Sequence, residues 1–297
     1  MSSSSEMGDK LSRKRNRFFK AIIIIFMIAI FIFSPACASI RSYAVMFPYS
    51  YLHQRNSVLA KNQISFRIPG GKHTSQADWY PFVITFNASE GLSSYLGESV
   101  EFTILYNFGH FNFREGTSTY YDPNSPYYSS FYGGYIIKPA DEGRKIGFQE
   151  DNTVNVEELA KITEYDQKYL VLSSLGCPVK QRVFNEEIST MQYEVEYAGY
   201  DNWVQVDSMI QTNSPVHEYR EFQRGYLQYG KPMGRFHFVE DFPVINLNGR
   251  VYVRYFKDLQ ATVVLYIMAP SWITINEADE EILSKTEIGF SDSRQFD

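Results

Sequence analysis

Cysteine is scarce in this chain. There are two in 297 residues, Cys37 and Cys177, and Cys37 belongs to an apolar N-terminal stretch. Beyond that stretch Cys177 stands alone, so no internal disulfide can form. A body of this size holds its core without staples. An exported domain that relies on packing alone favours a bacterial surface protein over a small disulfide-built module. Clustered bases are also lacking after residue 20. The chain carries a net charge of −6, and phosphate backbones need grouped Lys and Arg, so nucleic acid is not an expected partner. No Gly-Xaa-Ser-Xaa-Gly elbow, Walker loop, dinucleotide fingerprint, HExxH or Cys/His cluster occurs, so neither a cofactor nor a metal site is expected.

What is present begins at the N-terminus. Residues 1–20 hold six bases, Lys10, Arg13, Lys14, Arg15, Arg17 and Lys20, against Glu6 and Asp9. That net of +4 leaves −10 for residues 21–297. Ala21–Ile40 has no charge at all. About 20 residues of apolar helix cross a bilayer core, and the positive flank stays inside. The expectation is a basic cytoplasmic segment, 1–20, then a transmembrane anchor, 21–40, with the body outside the cytoplasm. Ala21–Phe33 also has the length of a signal h-region, and Ala36-Cys37-Ala38 offers small residues for cleavage after Ala38, which would make the body secreted. A lipoprotein signal at Cys37 is disfavoured by Ser34, and Arg15-Asn16-Arg17 lacks adjacent arginines.

Past a connector at 41–61, the body reads as strands. Gln63–Ile68, Phe82–Asn87 and Tyr127–Lys138 are strand candidates. Ser99–Phe108 alternates strictly, with Val100, Phe102, Ile104, Tyr106 and Phe108 on one face and Glu101, Thr103 and Asn107 on the other, which predicts one buried face. Asn155–Asp166 predicts a helix capped by Asn155, and Tyr169–Ser173 a strand. Tyr193–Tyr197 and Trp203–Ile210 predict a hairpin across Gly199–Asn202. Val244–Leu247 and Arg250–Phe256 predict another across Asn248-Gly249. Thr262–Met268 is apolar on both faces and predicts a central strand. The tail 276–297 holds seven acids and two bases and predicts a short surface helix followed by disorder. The fold class expected is mainly β and antiparallel, a β-sandwich or β-rich α+β body, preceded by one N-terminal helix. The domain runs over 62–275, with a subdivision near 152–166.

Two features carry candidate chemistry. Tyr120, Tyr121, Tyr127, Tyr128 and Tyr132 lie in an aromatic tract beside glycines and would form a ligand-binding patch if exposed. Packing between sheets is the competing reading. The second feature is Cys177. His110, the run Asp166–Cys177 and Arg182 follow the order His, Cys, Arg. In that order the chain resembles the sortase transpeptidases, which are also anchored, extracytoplasmic β-barrels. The resemblance covers these short pieces and implies a nucleophilic Cys177. It departs at Gly176, where sortases have Thr, and at Arg182, which is too near Cys177 to sit on the next strand. Residues 178–297 also extend far beyond a sortase's end. Cys177 otherwise reads as a packing residue, and no catalytic residue is assigned. The adjacent acids Glu157/Glu158 and Glu186/Glu187 point apart on any regular element and read as solvated.

The function expected is therefore a membrane-anchored or exported protein of the bacterial cell envelope with a non-catalytic binding or structural domain. Its partners would be the membrane and either envelope glycan or another membrane protein. One alternative is an extracytoplasmic cysteine transpeptidase or a glycan or peptide hydrolase. Another is an accessory subunit of a membrane protein complex.

Overall fold

The computed structural model describes residues 17–30, 48, 50–71, 83–107, 111–112, 117–118, 120, 123–175, 177–214 and 242–290. Helix α1 covers residues 17–30 and is exposed on nearly all its residues. Among the described residues, no helix is long and apolar enough to cross a membrane. Residues 31–40, the rest of the expected anchor, lie outside the described residues.

The body is mainly β and antiparallel. Its strands are β1 (Ile64–Arg67), β2 (Ile84–Asn87), β3 (Val100–Asn107), β4 (Phe111–Asn112), β5 (Thr117–Ser118), β6 (Phe131–Pro139), β7 (Phe184–Tyr197), β8 (Tyr200–Asn213), β9 (Val244–Phe256), β10 (Ala261–Ala269) and β11 (Glu287–Phe290). The helices that join them include α2 (Val58–Lys61), α3 (Ser89–Leu96), α4 (Val156–Tyr165) and α5 (Trp272–Glu281). Seven strands form one sheet in the order β2-β3-β6-β10-β9-β8-β7. After β6 the chain crosses one face of this sheet as α4. It then starts again at the far edge with β7 and returns as a meander, so that β10 closes against β6.

Both faces of the large sheet are covered. On one, α3, α4 and the segment after α4 pack over Phe102, Ile104, Tyr135, Val253 and Val264. On the other, α2, α5 and the small sheet β1-β11 pack over Leu105, Ile136, Val263 and Leu265. β10 therefore has every residue buried, as its two-faced apolar run predicts, and it stands fourth of seven. Gly133 and Gly134 of β6 permit this closeness. A Cβ at Gly133 would sit 1.9 Å from the Leu105 carbonyl oxygen, and one at Gly134 would sit 2.9 Å from the Phe66 ring. Apolar burial of this extent is the main driving force for the fold.

Several expectations are corrected. β3 buries both faces, because α2 lies on the polar one: Val58 N–H donates to Thr103 Oγ1 at 3.2 Å and Lys61 pairs with Glu101 at 3.0 Å. The expected connector thus ends inside the core, with Val58 and Leu59 buried. Asn248-Gly249 is no turn. β9 runs straight through it, and the glycine makes room for Ile210, whose Cδ1 would lie 2.5 Å from a Cβ there. The β7–β8 turn falls at Ala198-Gly199, where both φ angles are positive (49° and 77°), the backbone of a type I′ turn. Tyr169–Ser173 is helical, because α4 continues through a π-helical turn, Asp166–Val171, into Leu172–Ser174. The acidic tail is no loose end as far as residue 290: β11 pairs with β1. Strands from both sides of 152–166 share one sheet, so that segment crosses the body and does not divide it.

Phe102 is fully buried between Tyr135 and Tyr165. Phe102→Ala is expected to cost about 3–5 kcal/mol in denaturant unfolding; a loss below about 1 kcal/mol would contradict this packing.

Candidate functional site

The four described tyrosines of the tract do not form a surface patch. Tyr120, Tyr127 and Tyr132 are buried, at 3%, 1% and 0% exposure. They also sit in cores on opposite faces of the sheet, Tyr120 on one and Tyr127 with Tyr132 on the other. Tyr128 is half-buried and Tyr121 lies outside the described residues. Packing wins because strands bury rings on both faces here. Tyr127 donates to Glu277 of α5 at 2.9 Å and Tyr132 to the Pro69 carbonyl at 3.2 Å, so their hydroxyls serve the fold.

Cys177 is a packing residue in its surroundings. It is buried among the residues beneath α4, and burial pushes its thiol up to about 11, against a smaller opposing pull from Arg182. Arg182 binds backbone instead, donating to the Cys177 and Lys168 carbonyls at 2.8 Å each. A thiol held protonated is a poor nucleophile. His110 lies outside the described residues. Among the described residues no group of three or more His, Cys, Asp or Glu could hold a metal ion.

Two polar clusters do stand out. One joins α5 to the sheet. Arg250 grips Asp207 with two bonds, at 2.8 and 2.9 Å, and donates to Asp279 at 2.9 Å and Asn276 at 3.1 Å. Asp279 also accepts from Tyr252 at 2.7 Å and from Tyr197, and these two rings stack at 3.6 Å. Every member is bonded within the cluster, so it ties elements together and presents no free group to a ligand.

The other cluster is a cleft under α4. Its floor steps diagonally across five strands: Tyr135 of β6, Val264 of β10, Val251 of β9, Val206 of β8, and Glu186 and Ile188 of β7. Its roof is the apolar side of α4 and the residue before its cap, including Val154, Leu159 and Ala160. The space inside it that a water-sized sphere can fill is about 60 Å³, room for only a few heavy atoms. The roof is held in place from one end. Asn155 caps α4 by accepting from Glu158 N–H, and Glu158 accepts from Gly147 N–H at 2.6 Å and pairs with Arg144.

Glu186 is the one ionisable carboxyl in this lining. Ser208 Oγ donates to its Oε1 at 2.8 Å, and Thr163 Oγ1 to its Oε2 at 3.1 Å. Burial raises its pKa, and the two hydroxyls only partly offset that. Its neighbour Glu187 is exposed, so the pair points apart as expected; what the sequence reading missed is that one of the two enters a cleft. The available signal was Phe184-Xaa-Glu186-Xaa-Ile188, an acid at an apolar-face position of a strand. Behind the floor, Tyr135 donates to Asp166 at 2.5 Å, and Tyr106 donates to the other carboxyl oxygen. Asp166 opens the π-helical turn, is fully buried, and has its pKa lifted far above the ordinary range by desolvation. Insertions of this kind often mark functional positions.

Comparison with protein families, with curated proteins and with solved structures finds no match for this chain. What stands is a class: a mainly β antiparallel body, helices on both faces, and an apolar cleft with a single carboxyl in its lining.

An acid whose folded pKa lies above its unfolded value of about 4.3 supports the fold fully while protonated and loses that contribution as pH rises through the raised value. Glu186→Gln removes the loss. Its stability relative to the native protein is expected to be higher at pH 7 than at pH 4 in urea unfolding. An equal difference at both pH values would mean that Glu186 is ordinarily solvated.

Proposed function

We propose that this protein is a membrane-tethered, non-catalytic binding protein of a cell envelope, with α1 in the tether and the β body outside the cytoplasm. The observation that carries the tether is α1 itself. Ile22, Ile23, Ile24 and Ile25 are consecutive, so they point to different sides of the helix, and they are 45%, 58%, 58% and 66% exposed. A helix that is apolar all round finds its stable place in a bilayer or among other helices. The uncharged sequence continues to Ile40, which gives the length a span needs, and the +4 flank favours an inside N-terminus.

Binding is favoured over catalysis by the character of the cleft. Its walls are aliphatic and its polar groups are Glu186, Thr163 and Tyr135. One carboxyl without a second carboxyl or a histidine in the lining holds a ligand but offers no carboxyl pair for hydrolysis. The transpeptidase reading is not carried forward, since Cys177 is buried and its thiol is held protonated. The accessory-subunit reading keeps one support: an all-round apolar helix also suits packing against other membrane helices.

Topology is the direct test. Reporters active only in the cytoplasm or only outside it, fused after Asp297, are expected to show external activity alone. Activity of the cytoplasmic reporter would overturn the proposal.

A further inference from the structure

The cleft under α4 has a polarity that selects its ligand. Its walls are Val154, Leu159, Val206, Val251 and Val264, and the lining contains no lysine, arginine or histidine. At the β7 end lies Glu186, whose two oxygens each accept one hydroxyl hydrogen bond. A carboxylate oxygen accepts more than one bond, so acceptor capacity remains on both. No ion pair to Glu186 occurs among the described residues. By contrast, Glu158 and Asp207, at comparable depth, each hold an arginine. Buried charges are normally paired. Among the described residues, Glu186 is therefore a buried carboxyl group without a counter-ion, facing an apolar cleft.

We propose that this cleft binds a small aliphatic amine, with the alkyl chain against the valines of the sheet and the ammonium group hydrogen-bonded to Glu186. This rests on the reading of the protein as a binding protein and names its ligand class. An aliphatic carboxylate is disfavoured because it would place two acids together without a cation. An alcohol fills the same space but brings no charge. The ammonium offers three donors to oxygens that already lie beside Ser208 and Thr163, and a charge-assisted bond of this kind in a dry site is stronger than a neutral one. Tyr135, bound to Asp166, also lines the cleft.

The test uses the full chain in phosphatidylcholine nanodiscs, with empty nanodiscs as the blank. Butylamine, butanol and butyrate are titrated while the methyl resonances of Ile188, Val206 and Val264 are followed by NMR. Butylamine is expected to shift them saturably and to bind at least about tenfold more tightly than the other two, the size of one charge-assisted hydrogen bond. Glu186→Gln is expected to erase that preference. Ile188→Lys, at a half-exposed position on the same strand, keeps Glu186 and places a cation at the mouth; it is expected to weaken butylamine alone. Equal binding of butylamine and butanol, both lost in Ala160→Trp, would overturn the amine and leave a binding cleft. If none of the three compounds shifts these resonances at millimolar concentration, the amine and the binding reading of the cleft both fall.

Discussion

The pairing of β10 with β6 is the constraint on which the rest of this structure depends. β6 precedes α4, and β10 follows the β7–β8–β9 meander, so their ladder, Thr262↔Ile137 to Met268↔Phe131, closes everything between them. Gly133 and Gly134 leave space in it, where a Cβ would lie 2.9 Å from the Tyr266 hydroxyl and 2.9 Å from the Val264 carbonyl oxygen of β10. Once it forms, α4 is trapped across the sheet, and Tyr135, Val264, Val251 and Val206 become the floor of the cleft. The site is thus a consequence of closure. Neither half of the chain contains it.

The polar groups follow from the same closure. Covering both faces of a seven-stranded sheet brings acids from the crossing segment and the edge strand over apolar surface. Asp166 meets two tyrosine hydroxyls there, and Arg250 with Asp207 and Asp279 is satisfied within its own cluster. Glu186 alone of these lies at the rim with hydroxyl partners and no cation. Burying an acid raises the cost of its charge, and that cost is recovered only if a cation arrives. A ligand that carries one is therefore favoured by the architecture and not by any sequence motif.

Much of the sheet was legible in the sequence, because strands announce themselves through a period of two. Thr262–Met268 was readable as the centre from its unbroken apolar run, and α4 from its Asn155 cap and first-turn acids. Asn248-Gly249 misled, since the pair suits a type I′ turn as well as a close approach of strands, and only Ile210 on the neighbouring strand decides between them. The tyrosine tract misled for a related reason: aromatic spacing does not say whether both faces of a sheet are covered. Glu186 was invisible as a site residue. Its setting depends on α4 lying above β7, a contact between elements that no local pattern encodes.

Native-state amide hydrogen exchange reports most directly on whether closure by β6 and β10 makes one cooperative body. The strands on either side of α4 are then predicted to open together. The amides of Ile136, Val253 and Val264 would exchange only through global unfolding, with one shared free energy equal to that from denaturant unfolding. Opening of β2, β3 and β6 at one free energy and of β7 to β10 at another would show two separate units, and would contradict the account.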